Sequence, residues 1–233
     1  VTLTADEPSA SEKTGAPPAA AHATAPDRSS VVDAGRFRDP SSPTFGLQDA
    51  IDALPEAGGL VRVPPGVYVL RRGVVLRSGV TLRGGGGATV RRMAPSAASG
   101  LPQDGAKGGT EITLEDPAGF DVGDAIGLRD RQSAGWHITH AVVTAVQGQR
   151  LTLDRPAKRD YTVVRNALAV TYFPAITAED AADVTIASLR IDGTDGQLAK
   201  IGGDFTFAAV HLVLCRRPRV RDVTVVGWPA DGI

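Results

Sequence analysis

From Phe173 to Ile233 apolar residues alternate with polar ones in short stretches, and the stretches recur. Ile176, Ile186, Leu189 and Ile191 return as Val210, Val220, Val223 and Val225, each 34 positions later, and Ile233 opens a third copy 23 positions after Val210. The unit reads apolar-x-apolar-x-x-apolar-x-apolar, as in Val184-x-Ile186-x-x-Leu189-x-Ile191. Alternation puts every second side chain on one face, and the two-residue step after Ile186 marks a bend. A unit this short cannot bury its own apolar face. The pattern therefore predicts copies stacked as parallel strands, with Ile, Val and Leu in ladders along a common core. The mismatch between 34 and 23 predicts an insertion in one loop, at about Gly193 to Phe207, because the steps Ile176 to Ile186 and Val210 to Val220 are equal.

Upstream the periodicity changes twice. Leu47, Ala50, Ile51 and Leu54 lie at i, i+3, i+4 and i+7, which predicts a helix from Thr44 to Leu54, capped by Ser42 or Thr44 and ended by Gly58-Gly59. One amphipathic helix ahead of stacked strands would cover the open end of the stack. Short strands follow at Leu60 to Val63, Val67 to Leu70, Val74 to Leu76 and Val80 to Leu82, and Val80-Thr81-Leu82 matches Val184-Thr185-Ile186. The run Gly84-Gly85-Gly86-Gly87 lacks the Lys-Ser/Thr ending of a phosphate-binding loop and reads as a turn between coils. Residues 105–170 leave the pattern. There, Glu111 to Leu114, Val122 to Leu128, His140 to Val146 and Arg150 to Leu153, with the turn Gln147-Gly148-Gln149, predict a small antiparallel module. Residues 1–30 are rich in Ala, Pro, Ser and Thr without periodicity and read as a disordered tail of the kind that follows an export signal.

The helix followed by EAGGLVRVPPGVYVL and LRSGVTLRGGG, and later DVTIASLRIDG and VRDVTVVGWPADGI, resembles the pectin lyase-like right-handed parallel β-helix proteins. These include the pectate lyases and the polygalacturonase-like glycoside hydrolases. The resemblance covers about 31–100 and 173–233. It implies an all-β chain: a tail at 1–30, a capping helix and first coils of a right-handed parallel β-helix at 31–104, an inserted antiparallel module at 105–170, and further coils at 171–233. On this reading the chain is the N-terminal portion of such a protein, truncated at its C-terminus.

Composition narrows the function. A net charge of −1 argues against a general nucleic-acid or membrane-surface binder, and no run of apolar residues is long enough to span a membrane. Gly 27 and Pro 16 with 5% aromatic residues fit a turn-rich β chain. The single Cys215, at an alternating strand position, reads as a small buried hydrophobe rather than a reactive or metal-binding thiol.

Stacked coils offer a long shallow groove, which suits an extended polymer. Thr177 and His211 occupy one outward position in successive copies, and Asp231 lies two residues before Ile233, in the turn entering the same strand. The polygalacturonase-like family carries a catalytic aspartate in an Asn-Thr-Asp-Gly motif at such a point. Only Asp231-Gly232 of that motif is present, after Pro229-Ala230, so the resemblance makes Asp231 a candidate catalytic acid. Hydrolysis needs a second group to activate water or act as nucleophile, whereas β-elimination usually takes a base such as Lys or Arg and a cation, so no cofactor is assigned beyond calcium as an option should the chain be a lyase. Asp192, Asp195, Asp204 and Lys200 in the inserted loop could supply either set, or Asp192-Gly193 and Asp195-Gly196 could serve only as turns. Trp136, in a loop with His137 and beside His140, could stack on a sugar or sit half-buried beside solvated histidines; His137-x-x-His140 lacks zinc-site spacing, and no metal ligand set is assigned. Arg71-Arg72, Arg77, Arg83, Arg91-Arg92 and Arg216-Arg217-Pro218-Arg219 could bind a uronate polymer or form solvated faces that discourage edge pairing. The expectation is a secreted or cell-envelope protein acting on a pectin-like or other acidic polysaccharide by hydrolysis or elimination. The competing class is a non-catalytic glycan-binding or adhesin scaffold of the same fold.

Overall fold

The computed structural model describes residues 30–85, 97–132, 137–193, 208–228 and 232–233, and the backbone of 89–93. Among these the regular structure is nearly all strand, with one short α-helix, α1 (Leu47–Asp52), and short 3-10 turns at Ala34–Phe37 and Val163–Arg165. The first strands are β1 (Val31–Asp33), β2 (Gly59–Val63), β3 (Gly66–Leu70), β4 (Val74–Val75), β5 (Val80–Gly84) and β6 (Thr89–Met93). Six antiparallel strands follow: β7 (Ala98–Gly100), β8 (Glu111–Thr113), β9 (Ala125–Arg129), β10 (Thr139–Gln147), β11 (Arg150–Leu153) and β12 (Leu168–Val170). The last six are β13 (Ile176–Glu179), β14 (Thr185–Ala187), β15 (Arg190–Asp192), β16 (Val210–Val213), β17 (Arg219–Arg221) and β18 (Thr224–Val226).

Outside the antiparallel block the strands form three parallel sheets. Sheet A runs β1-β2-β5-β14-β17, sheet B β3-β6-β15-β18 and sheet C β4-β13-β16. The chain visits C, A and B in turn, three times over: β4-β5-β6, β13-β14-β15, β16-β17-β18. The 34-residue repeat is the register itself. Ile176 faces Val210, Ile186 faces Val220 and Ile191 faces Val225, while Val74 faces Ile176 and Leu82 faces Ile186. The inward rows are thus like on like, and Val61, Leu82, Ile176, Ile186 and Ile191 are fully buried in one core. Val74 N donates to Ala175 O at 3.0 Å, Ile176 N to Ala209 O at 3.1 Å and Val210 N to Gly232 O at 3.2 Å. The third bond sets Ile233 beside Val210, as the 23-residue step predicts.

Tight corners join the sheets. Between C and A, and between A and B, non-glycine residues take left-handed backbone at matched positions: Asp180 and Leu214, Asp183 and Arg217, Ser188 and Asp222, all with φ between 48° and 58°. The Arg217 guanidinium forks onto the Asp183 carboxylate one coil away, with Nε donating to Oδ1 at 2.7 Å.

Helix α1 closes the β4 end of the stack, but differs from its expected extent. It has six residues rather than spanning Thr44 to Leu54, because Phe45 and Gly46 are left-handed, at φ 55° and 81°. Gly46 has no alternative: a Cβ there would stand 1.6 Å from Phe37 O. Neither expected cap occupies the N-cap position, which Gly46 holds; the Thr44 hydroxyl instead accepts a bond from Gln48 N at 3.3 Å. Gln48 does the capping of the sheet. Its Oε1 accepts from Val75 N at 2.8 Å and its Nε2 donates to Val75 O at 3.2 Å, so the amide takes the place of a neighbouring strand on the free edge of β4. Arg77 donates to the helix-end carbonyls of Leu54, at 2.7 Å, and Glu56, at 2.9 Å.

The antiparallel sheet, D, has the order β7-β12-β9-β10-β11-β8 and its own core of Leu114, Ile126, Leu128, Leu151, Tyr161 and Ala169 among others. The strand expected from Val122 starts at Ala125, since Gly123 turns at φ 92°. Ile138, Val170, Tyr172 and Phe173 belong to the core of the stack, which ties sheet D to it.

Two stability effects follow. Leu214 is 78% exposed with left-handed backbone, so Leu214→Asn loses little packing and relieves strain; a gain of about 0.5–1 kcal/mol is expected in urea unfolding, and no gain would mean that the corner is unstrained. Gln48→Ala removes both bonds to β4 and is expected to cost about 1–2 kcal/mol by the same measurement.

Candidate functional site

From β3 onward every long excursion of the chain leaves from one corner, where sheet B hands over to sheet C; the earlier link from β1 to β2, which carries α1, joins two strands of sheet A. Between β3 and β4 the crossing takes only residues 71–73. Between β6 and β13 it holds the whole of sheet D, and between β15 and β16 it holds 193–209, which contains the predicted insertion. Between β18 and Ile233 it is 227–232, which includes Asp231. Sheet D, residues 193–209 and residues 227–232 therefore all interrupt the chain at the same point of its circuit, between sheet B and sheet C.

Thr177 and His211 are Cα partners on β13 and β16, half-buried between inward neighbours, with Val75 as the next residue in their row. The outward position inferred from the repeat is the one they occupy, since Ile176 and Ala178 on either side of Thr177 are buried in the core. Thr177 Oγ1 donates to Val74 O at 3.5 Å. Trp136, Lys200, Asp204 and Asp231, together with Asp195, lie outside the described residues.

Sheet D meets this face through β10. His140 there is half-buried, and its imidazole is pushed down from the usual value to about 3, first by burial and then by the positive charges of Lys158, His211 and Arg155. His211 on the stack and His140 on sheet D are thus electrostatic neighbours across the junction. His137 is exposed, as expected for a solvated loop histidine, whereas His140 is not.

Three contacts fix sheet D. Arg71, in the short crossing, reaches Asp121 at 3.1 Å and Asp124 at 3.8 Å, and the Asp124 carboxyl is raised above the ordinary range by burial, partly offset by its bond from Asp121 N and the Arg71 charge. Arg165 holds the fully buried carboxylate of Asp130 at 2.7 Å, which anchors the chain entering the Trp136 loop. At the exit of that loop, Tyr161 donates to His137 O at 2.8 Å and lies 2.7 Å from the Thr139 hydroxyl.

Trp228, which the repeat did not single out, stands in the same corner. Its ring is half-buried and tilted against Tyr172 at 6.0 Å, and it lies over Gly193, where a Cβ would come within 2.9 Å of Trp228 Cε3. The signal was a Trp in the Gly-Trp-Pro turn beside Asp231. Asp192, at the end of β15, has a side chain 18% exposed and sits 3.9 Å from Arg190. Cys215 is half-buried with Sγ on Ala178 O at 3.4 Å, a packing contact. Among the described residues no three His, Cys, Asp or Glu side chains converge as a metal site.

No protein-family model matches the chain, and no curated protein matches it. Among solved structures it is similar to the tailspike gp61 of Pseudomonas phage phi297, with 11% identity and TM-score 0.34 over 86% of this chain and 44% of that one. The tailspike Gp54 of Acinetobacter baumannii bacteriophage AP22, solved in complex with A. baumannii capsular saccharide, aligns with 13% identity and TM-score 0.32 over 82% and 36%. A Parabacteroides merdae protein provisionally assigned as a glycosyl hydrolase aligns with 16% identity and TM-score 0.45 over 84% and 66%. The chain thus spans less than two thirds of the length of each. No helix among the described residues is long and apolar enough to cross a membrane.

The depressed His140 gives a sign-definite pH effect. The folded protein keeps the ring neutral down to about pH 3, whereas the unfolded chain protonates near 6.5, so stability present above 6.5 is lost as pH falls through that window, by at most about 1.4 kcal/mol per pH unit. Thermal melts at pH 7, 5.5 and 4.5 are expected to show a shallower decline for His140→Gln than for the parent; parallel declines would rule out His140 as the source.

Proposed function

We propose that the three parallel sheets wind as a right-handed parallel β-helix and that the protein is an exported carbohydrate-active enzyme acting on a pectin-like or other acidic polysaccharide. Right-handed winding is the hand that parallel crossovers take almost without exception. The observation that supports the functional reading is the shared corner: the chain leaves for sheet D, for residues 193–209 and for residues 227–232 at the crossing from sheet B to sheet C, next to the outward Thr177–His211 row. A straight channel along a stack, open at its length, admits a polymer better than a small metabolite.

In this reading Asp231 donates the proton to the leaving glycosidic oxygen if the reaction is hydrolysis. Thr177, His211, Lys200, Asp204 and Trp136 line the channel and hold the sugar units. A lyase would instead use a basic residue to take the proton beside the substrate carboxylate, with Lys200 the candidate and calcium, if bound, stabilising the developing charge. A non-catalytic glycan-binding scaffold uses the same channel without Asp231 chemistry.

The test is to incubate the full chain with a panel of polyuronates and neutral polysaccharides, following reducing ends and the absorbance of 4,5-unsaturated products. Cleavage of an acidic polymer is expected, falling by about a hundredfold or more in Asp231→Asn with binding retained. Binding without products would move the protein to the scaffold class, and activity unchanged in Asp231→Asn would remove that residue from the mechanism.

A further inference from the structure

The outer face of sheet A carries a row of cations that the channel beside sheet C does not use. Cα pairing places Asp33, Arg62, Arg83, Ala187 and Arg221 side by side on β1, β2, β5, β14 and β17. The inward row between the faces, Val61, Leu82, Ile186 and Val220, packs on the core, so this row points away from it. Arg62, Arg83 and Arg221 are exposed. None of the three forms an ion pair among the described residues, and the one carboxylate in the row, Asp33, accepts a bond from Gly35 N at 2.8 Å.

Like charges directly opposite on adjacent strands destabilise a sheet. Arg62 and Arg83 are such a pair, one strand spacing of about 4.8 Å apart, and Arg221 lies two spacings further on. Between them Ala187 is covered, at 1% exposure, so the exposed cations stand on either side of a closed position. The next row, Val31, Leu60, Thr81, Thr185 and Arg219, in which Thr185 is buried, adds one more cation and no aromatic residue.

We infer that this row is a second binding surface, for an extended acidic polysaccharide lying along the stack axis on the outer face of sheet A. The inference rests on the reading above for the class of polymer, but not for the site. Guanidinium forks match carboxylate or sulfate groups two bonds at a time, and cations one strand apart are spaced comparably to successive sugars of an extended chain. Single-stranded nucleic acid binds on faces that add aromatic platforms for its bases, which neither row offers. A bound anionic chain would neutralise the Arg62–Arg83 repulsion that the described structure leaves unrelieved.

The experiment compares the full chain with the triple variant Arg62→Gln/Arg83→Gln/Arg221→Gln and with Arg150→Gln, a control from the far strand β11. Binding of size-defined polygalacturonate, of neutral dextran and of oligo(dT) is measured at two salt concentrations, alongside cleavage and melting temperature. The expected result is polygalacturonate binding weakened about tenfold in the triple variant, with a shallower salt dependence, an unchanged or higher melting temperature and no effect of Arg150→Gln. Ladder-dependent binding without cleavage would uphold this surface while removing the enzymatic reading. Polygalacturonate binding unchanged in the triple variant would overturn the surface and leave the channel reading standing. Failure of the parent to bind any polyuronate would overturn both, and tighter, ladder-dependent binding of oligo(dT) would overturn the polysaccharide assignment.

Discussion

In-register pairing of like residues between successive passes is the constraint on which the rest depends. Ile176 can lie between Val74 and Val210 only if each pass returns to sheet C at the same phase, and the same holds for Ile186 between Leu82 and Val220. Once the phase is set, the corners have no freedom. Asp183 and Arg217 must turn with the same left-handed backbone, and Ser188 and Asp222 likewise, even though neither pair contains glycine. The strain of such residues is held by the parallel ladders on both sides, with the Asp183–Arg217 fork as a further tie.

The same constraint explains where the chain can vary. Corners between C and A and between A and B keep their lengths from β13 to β18, whereas the corner between B and C absorbs everything from a short link to the whole of sheet D. An insertion there leaves the stacked rows undisturbed, because the chain needs only to return in phase. Sheet D can do this since it is held at its base by Arg71 with Asp121 and Asp124, and shares the stack core through Ile138, Val170 and Tyr172. The result is a wall on one side of sheet C, with His140 and His211 close enough to feel each other's charge.

Different parts of the fold were readable for different reasons. The repeat was legible because β-branched residues at period two, repeated at one spacing, leave few alternatives to stacked parallel strands, and three of its four 34-residue matches, Ile176–Val210, Ile186–Val220 and Ile191–Val225, became strand partners. The Val80-Thr81-Leu82 match to Val184-Thr185-Ile186 was correct across more than a hundred intervening residues, since both obey the same inward row. The helix was legible from its apolar face but not in its extent, because close approach to Phe37 sets Gly46 in a backbone that periodicity does not encode. His140 was read as solvated because a loop-edge histidine looks alike in sequence whether or not another sheet lies over it.

The sequence by itself determined the parallel stacking, the phase of its rows and the outward placement of Thr177 and His211, because local alternation and equal spacing are sufficient for these. Tertiary structure decided that the long crossings after β3 share one corner, that Trp228 and His140 come to it, that Gln48 stands in for a strand at the edge of β4, and that Arg62, Arg83 and Arg221 fall in one row. Each of these depends on which strands are neighbours across the sheets. That relation is set by return of the chain over long separations, and no short window of residues contains it.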